Sequence, residues 1–251
     1  MLAIEHLKKT YQAANGEVPA IADISFTLKQ GQFLSIVGPS GCGKSTLLSM
    51  IAGLEAKSGG SVTLNGRPII DSDHAVGYML QKDYLLPWRT IYKNICLGLE
   101  ITRKCDPDHL QYIDRLITTY GLAEFKDKYP SQLSGGMRQR AALIRTLAVR
   151  PKLLLLDEAF SALDYHTRQQ VTDDIHHILK HEGITTILVT HDIPESICMG
   201  DFVLVLSKRP ARVKSLIATE MTEIPTKRRG DKRFELLFDR IWREMNENEA
   251  R

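Results

Sequence analysis

Nine consecutive residues, GPSGCGKST from Gly38 to Thr46, follow the apolar run FLSIV and lead into STLLSMIAGL. They match the phosphate-binding pattern GxxxxGK[ST] in the strand-to-helix setting that the pattern requires. Glycines let successive backbone N–H groups turn inward around phosphate oxygens. The N-terminus of the following helix adds partial positive charge. Lys44 brings a full charge to β- and γ-phosphates, and Ser45 offers a hydroxyl to Mg2+. A chance glycine turn is the bland alternative, and the length and setting of the match weigh against it.

A second apolar run, LLLLDE from Leu153, stops at two adjacent acids. Asp157 suits a Mg2+ contact through water, and Glu158, one residue on, suits polarising an attacking water. A lone Asp after a strand is commonly a helix cap, but a phosphate loop in the same chain weakens that reading. Between the two motifs lies LSGGMRQR, Leu133 to Arg140, in which a glycine pair behind a serine opens an apparent helix. Glycines at a helix start favour an anion, so the chain carries two candidate anion loops.

The elements around these residues are those of an α/β fold. FLSIVG from Phe33, LLLLDE from Leu153 and TTILVTHD from Thr185 are apolar without alternation, as expected of parallel strands buried on both faces, and DFVLVLS from Asp201 adds another strand. The first third of the chain reads instead as antiparallel strands. Ile24, Phe26 and Leu28 share one face, Val62 and Leu64 another, with turns expected at Asn15-Gly16 and Asn65-Gly66. From Lys82 to Arg150 the texture becomes helical. Leu110, Ile113, Ile117 and Leu122 fall near helical spacing, with Gly121 as the expected C-terminal cap. After Ser207 the sequence becomes more basic and loses the strand pattern. DKRFELLFDRIWREMNENEA then predicts an amphipathic helix with Phe234, Leu237, Phe238, Ile241 and Met245 on one side.

The 251 residues are 43% hydrophobic and 25% charged, an ordinary soluble globular balance that fits one large domain with an inserted subdomain. A net charge of +3 does not by itself argue for nucleic acid. No apolar stretch approaches the roughly 18–20 residues of a membrane span, and MLAIEHLKKTYQ lacks a signal-peptide layout. Four scattered cysteines without a CxxC pair point to a reduced, cytoplasmic setting.

The phosphate loop and the acids alone specify only a P-loop NTPase. LSGGMRQR between them, SALD (Ser161 to Asp164) just after the acids and His191 after TTILVT resemble the ATP-binding cassette ATPases, with Gln81 in GYMLQKDYLLPW and Tyr11 at that family's glutamine-loop and adenine-stacking positions. The resemblance covers essentially the whole chain. It implies a RecA-like parallel-sheet core with an N-terminal antiparallel β subdomain (1–81 and 151–207), an inserted helical subdomain (82–150) and a C-terminal extension (208–251).

The same resemblance implies roles. Tyr11 would stack on the base of ATP; Gly38, Pro39, Ser40, Gly41, Cys42, Gly43, Lys44, Ser45 and Thr46 would wrap the phosphates. Ser45, Gln81 and Asp157 would serve Mg2+, Glu158 the attacking water and His191 the γ-phosphate, making Glu158, His191, Gln81 and Lys44 the catalytic set. Ser134, Gly135 and Gly136 would bind the γ-phosphate of a second copy, because two chains pair head to tail with Asp164 at the seam. The second anion loop is therefore expected to serve the partner's nucleotide. Met137 stands where the family usually has glutamine, and a modest effect on ribose-side contacts is expected.

QKDYLLPWRTIYKNI and LSKRPARVKSLI further resemble ATPase subunits of bacterial importers for nitrate, sulfonate, taurine and related solutes. That implies a permease partner, an extracytoplasmic binding protein and a peripheral place on the inner face of the plasma membrane, with no nucleic acid expected. The rivals are a soluble ATP-gated clamp on DNA or ribosomes, a P-loop kinase and an exporter half; none accounts for all the motifs without further features. His177 and His181 read as a solvated helix face, Thr226 to Arg233 as a solvated linker, Cys42 as a small turn residue, and Trp88 and Trp242 as packing residues, Trp88 within the segment that would face a permease.

Overall fold

The computed structural model describes residues 1–14, 16–69, 76–161, 163–222 and 224–246. The chain opens with β1 (Leu2–Ala13) and β2 (Gly16–Leu28), then β3 (Phe33–Val37), α1 (Lys44–Ile51), β4 (Gly59–Leu64), the short β5 (Arg67–Pro68) and β6 (Val76–Met79). Helices follow: α2 (Ile91–Ile95), α3 (Leu97–Thr102), α4 (Pro107–Thr119) and α5 (Gly135–Leu147). The chain then alternates through β7 (Leu153–Asp157), α6 (Tyr165–His181), β8 (Thr185–Val189), α7 (Ile193–Met199) and β9 (Phe202–Leu206). It ends with β10 (Ala211–Ala218), α8 (Pro225–Arg228) and α9 (Lys232–Asn246).

The strands form one sheet in the order β5-β4-β1-β2-β10-β9-β3-β8-β7-β6. β6, β7, β8, β3 and β9 are parallel, while β5, β4, β1 and β2 form an antiparallel wing. The apolar runs explain the difference. β3 and β8 are buried at every residue, as strands covered by helices on both faces must be. In β2 and β4 burial follows the alternation, with Ile24, Phe26, Leu28, Val62 and Leu64 inside. The turn at Asn65-Gly66 joins β4 to β5, Asn65 taking φ 53°. The turn expected at Asn15-Gly16 falls on a residue outside the described set, although β1 and β2 do pair up to Ala13↔Gly16.

Two expectations about the C-terminal part are corrected. The segment after Ser207 does not lose strand structure: β10 enters the sheet, pairing antiparallel with β9 and parallel with β2. Its alternation is obscured because Arg212 and Lys214 occupy positions that the sheet leaves partly open. Nor is Thr226 to Arg233 a solvated linker. Its first residues form α8, and Arg228, 2% exposed, donates to the carbonyls of Gly200 at 3.1 Å and Met221 at 3.0 Å. The guanidinium thereby satisfies backbone acceptors at the end of α7 and beyond. α9 buries Ile241 and lays Phe234, Leu237, Phe238 and Met245 on α7, β9 and β10, as the periodicity predicts.

Trp88 and Trp242 are not packed inside: they are 72% and 55% exposed, with Trp242 stacked on Phe238. His177 and His181 lie on an exposed face with their rings stacked 6.2 Å apart. Cys42 is buried, as a small turn residue should be. In α4, Ile113 and Ile117 are buried, and the helix stops where Gly121 turns to φ 71°. Among the described residues no helix is long and apolar enough to cross a membrane.

Candidate functional site

The start of α1, like those of the short α3 and α8, lacks the side-chain cap that five other helices carry. Thr90, Asp106, Ser134, Asp164 and Asp192 each place a side-chain oxygen on a first-turn amide of α2, α4, α5, α6 and α7. α1 instead begins at Gly43, at φ 114°, with no side-chain cap. Only glycine adopts that dihedral without strain, and the first amides of α1 are left to an external acceptor. Lys44 sits at that start, 7% exposed. Its Nζ donates to the carbonyls of Gly38 at 2.8 Å and Pro39 at 3.1 Å, so the ammonium is held inside the loop. No carboxylate within ion-pairing distance neutralises it among the described residues.

The central strands deliver the rest. β7 pairs with β8 up to Asp157↔Val189, and Glu158 follows at once. Ser45 Oγ donates to Asp157 Oδ1 at 3.1 Å, and Tyr78 OH donates to Asp157 Oδ2 at 3.2 Å. Burial pushes the Asp157 carboxyl up, with the Glu158 charge adding to the rise and the two hydroxyls opposing it. A buried carboxylate held in this way gains from a cation, and a serine hydroxyl beside it is the donor set a hard divalent ion takes. The residues therefore fit Mg2+.

Glu158 adopts φ 47°, a strained conformation for a residue other than glycine. Strain of this kind costs of order 1–3 kcal/mol and persists only where neighbours over-determine it. Here the Glu158 amide donates to Val189 O at 2.9 Å, while its carbonyl accepts from the Ser161 amide at 3.1 Å and the Ser161 hydroxyl at 2.9 Å. The side chain reaches across to the residues that follow β8, where His191 Nδ1 lies 3.3 Å from Glu158 Oε1. Gln81, after β6, donates from Nε2 to Ser161 Oγ at 3.1 Å. Ser45, Asp157, Glu158, Ser161, Gln81 and His191 are thus joined by contacts, with Lys44 adjacent on α1. Ala162 lies outside the described residues.

The remaining candidates stand apart. Tyr11 lies on β1 with Lys9 Nζ 4.6 Å from its ring centre. Lys9 is itself held by Glu55 and by Ala56 O. Ser134 is exposed, its Oγ accepting from the Met137 amide at 3.4 Å. Gly136 is buried for a packing reason. A Cβ there would lie 2.7 Å from Thr167 Cγ2 and 3.2 Å from Val171 Cγ2, so α5 approaches α6 only over a glycine.

Several participants escape a reading by motif. Tyr78 is one, although register identifies it: Tyr78 pairs with Leu155, and alternate residues share a face, which brings Tyr78 beside Asp157. Asp83 and Tyr84 are others. Arg145 donates to their carbonyls, each at 2.7 Å, and fixes Tyr84 at φ 44°. No local sequence signal connects residues that lie about sixty positions apart.

Known proteins share this fold and much of this sequence. The family model described as "ABC transporter" matches residues 21–161. The YtlC ABC transporter ATP-binding protein of Bacillus subtilis (strain 168) is 44% identical over 248 residues, covering 98% of this chain and 95% of its own. The chain belongs to the ABC transporter family. Within that family it is similar to the aliphatic sulfonates import ATP-binding protein SsuB 2 of Agrobacterium fabrum, 48% identical over 74% of this chain and 69% of the relative. Its cassette fold superposes on the dimeric cassette MJ0796 bound to ADP and Pi, with a TM-score of 0.74 and 28% identity, over 88% of this chain and 100% of the other. The expected α/β P-loop NTPase architecture is therefore that of an ABC ATPase cassette.

Proposed function

We propose that this ABC cassette is the ATP-hydrolysing subunit of an importer for a small solute of the nitrate, sulfonate or taurine kind. Relatives named for import of nitrate, aliphatic sulfonates and taurine, 38–40% identical over 84–88% of this chain, support the solute class. Two copies pair head to tail and dock on a membrane permease at its cytoplasmic side, fed by an extracytoplasmic binding protein. The exposed Tyr84 and Trp88 beside Gln81 suit the permease contact.

The observation that carries the reading is the Glu158–His191 contact beside the Ser45–Asp157 pair. Gly38 to Thr46 would cradle the phosphates, with Lys44 turning its Nζ from the loop carbonyls to the β- and γ-phosphates, and Tyr11 would stack on adenine. Ser45 and Asp157 would hold Mg2+, with Gln81 as a further contact; the ion, when bound, neutralises charge that develops on the phosphates. Glu158 would accept the proton of the attacking water. His191 would hold the Glu158 carboxylate in place and meet the γ-phosphate. Ser134, Gly135 and Gly136 would receive the partner's γ-phosphate, and Asp164 would lie at the seam. The helical segment 82–150 would then form a subdomain that presents both the permease contact and the LSGGM loop.

Mixed dimers test the arrangement. Lys44→Ala removes the charge that holds the phosphates, and Ser134→Arg places bulk where the partner's γ-phosphate should sit. With the mutations on different chains, one composite site takes both defects and the other is intact, so one ATP is occluded per dimer. With both on one chain, each site takes one defect and occlusion is lost. Retention of a site in the same-chain dimer would show that the loop acts within its own chain.

A further inference from the structure

A cavity of about 250 Å3 lies between α6, α7 and α8, lined by Tyr165, Arg168, Asp192, Glu195, Cys198 and Arg229 among others. None of these residues has a part in the site described above. The lining is mostly uncharged. Cys198 is buried with its thiol pushed up by burial, and burial also pushes the Glu195 carboxyl up to about 7. Arg168 NH1 lies 3.6 Å from Asp192 Oδ2, so those two charges offset each other. Arg168 Nε is buried without a hydrogen-bond partner, a vacancy that ordinarily costs about 1–3 kcal/mol.

At the mouth Arg229 NH1 donates to Tyr165 OH at 3.1 Å, and its guanidinium lies 5.6 Å from the Tyr165 ring centre and within reach of the Cys198 thiol. No carboxylate pairs with Arg229 among the described residues. The cavity thus combines a mostly apolar interior with two arginines, of which Arg168 is offset by Asp192 and Arg229 has no carboxylate partner among the described residues. Its volume is below that of drug-sized sites, which limits an occupant to roughly ten non-hydrogen atoms.

We propose that this cavity binds a compact organic anion, a carboxylate or sulfonate on an apolar body, with its acid head on Arg229 and Arg168, and that occupancy adjusts the ATP site through Arg168. The path is short. Arg168 NH2 donates to Leu163 O at 2.9 Å and approaches Ser161 O at 3.4 Å. Ser161 Oγ in turn donates to Glu158 O and accepts from Gln81. A ligand that recruits the Arg168 guanidinium pulls on the turn that holds Glu158 and Gln81. The binding half stands on the cavity alone; the adjustment rests on the ATPase reading above.

The test titrates the full chain with benzenesulfonate by calorimetry, with saturating ADP present so that the phosphate loop is filled, and with benzenesulfonamide as the uncharged control. A Kd on the order of 0.1–1 mM is expected for a ligand of this size. Arg229→Ala should weaken it at least tenfold and Arg229→Lys less, with unchanged melting temperatures showing that both variants fold. The sulfonamide should bind at least tenfold more weakly. No binding up to 10 Kd of the expected range (about 10 mM), equal affinity in Arg229→Ala, equal affinity for the sulfonamide, or displacement by ADP overturns the site. Steady-state ATPase is then read at saturating benzenesulfonate. A change of twofold or more that Arg229→Ala abolishes supports the adjustment, and an unchanged rate in a protein that binds the anion overturns it. A protein with no ATPase at all counts against the ATPase reading while the calorimetry still decides the site.

Discussion

Arg138 joins Leu133, at the head of the LSGGM loop, to the segment behind Gln81: Nε donates to Asp83 Oδ2 at 3.1 Å and NH1 donates to Leu133 O at 2.8 Å. Arg145, two turns further along α5, holds the Asp83 and Tyr84 carbonyls. The segment that follows Gln81, a proposed nucleotide contact, is thereby fastened to the helix whose first residues would meet the partner's nucleotide. Breaking this link should lower kcat for ATP by roughly three- to tenfold while leaving nucleotide KM nearly unchanged. A double-mutant cycle on Asp83→Ala and Arg138→Ala should give a coupling of about 0.5–1.5 kcal/mol in the transition-state free energy. Additive effects would mean that the two residues act independently.

Glu158→Gln keeps the shape of the side chain and removes the base. Steady-state hydrolysis should fall by roughly 10²–10⁴, while ATP binding survives and an ATP-bound dimer accumulates on gel filtration. Near-normal turnover by the purified variant would remove Glu158 from the base position.

Gly136→Ala adds a methyl where α5 meets α6, 2.7 Å from Thr167 Cγ2. Overpacking of this kind costs about 1–3 kcal/mol. The melting temperature should fall, and pairing Gly136→Ala with Thr167→Ser, which removes the opposing methyl, should restore most of it. A melt unchanged by Gly136→Ala would show that the helix contact is loose.

Glu195 and His176 give stability opposing pH dependences. Burial raises the Glu195 carboxyl from 4.5 to about 7, so the folded chain holds this proton more tightly than the unfolded chain does. The folded state is favoured below pH 4.5, and that contribution is lost as pH rises to about 7. Burial, with the Arg228 charge adding to it, lowers His176 from 6.5 to about 4, so its contribution is lost as pH falls through that window. Wild-type stability therefore hides both. The difference between wild type and Glu195→Gln isolates one: relative to the variant, wild type should lose on the order of 3 kcal/mol between pH 4.5 and 7, at about 1.4 kcal/mol per tenfold change in proton affinity. Parallel denaturation midpoints for the two proteins across that range would contradict a buried, proton-holding Glu195.

The legible parts of this molecule were those whose chemistry repeats locally. Gly38 to Thr46, the run from Leu153 to Glu158 and the unbroken apolar strands each carry their meaning within about ten residues. What the sequence concealed depends on register or on distant partners. Tyr78 reaches Asp157 only because β6 pairs with β7, and Arg138 finds Asp83 across 55 positions. β10 was obscured by its half-open charged positions, and Arg228 looked like part of a solvated run although it caps buried carbonyls. The exposure of Trp242 escaped for the opposite reason, since a large aromatic buries much apolar area, whereas Trp88 lies in the segment expected to face a permease.

The place of β3 in the sheet governs when this protein becomes competent during its synthesis. β3 leads into the phosphate loop, yet its two neighbours, β8 and β9, are made about 150 and 170 residues later, with Phe33 opposite Thr186 and Leu34 opposite Phe202. The antiparallel wing then joins this core through β10, which is later still. A nascent chain that has exposed only its first half therefore carries the complete glycine loop with no neighbouring strands to hold it. Nucleotide capture must wait until the ribosome has released most of the chain, so ATP meets a nearly finished cassette and half-made chains do not compete for it.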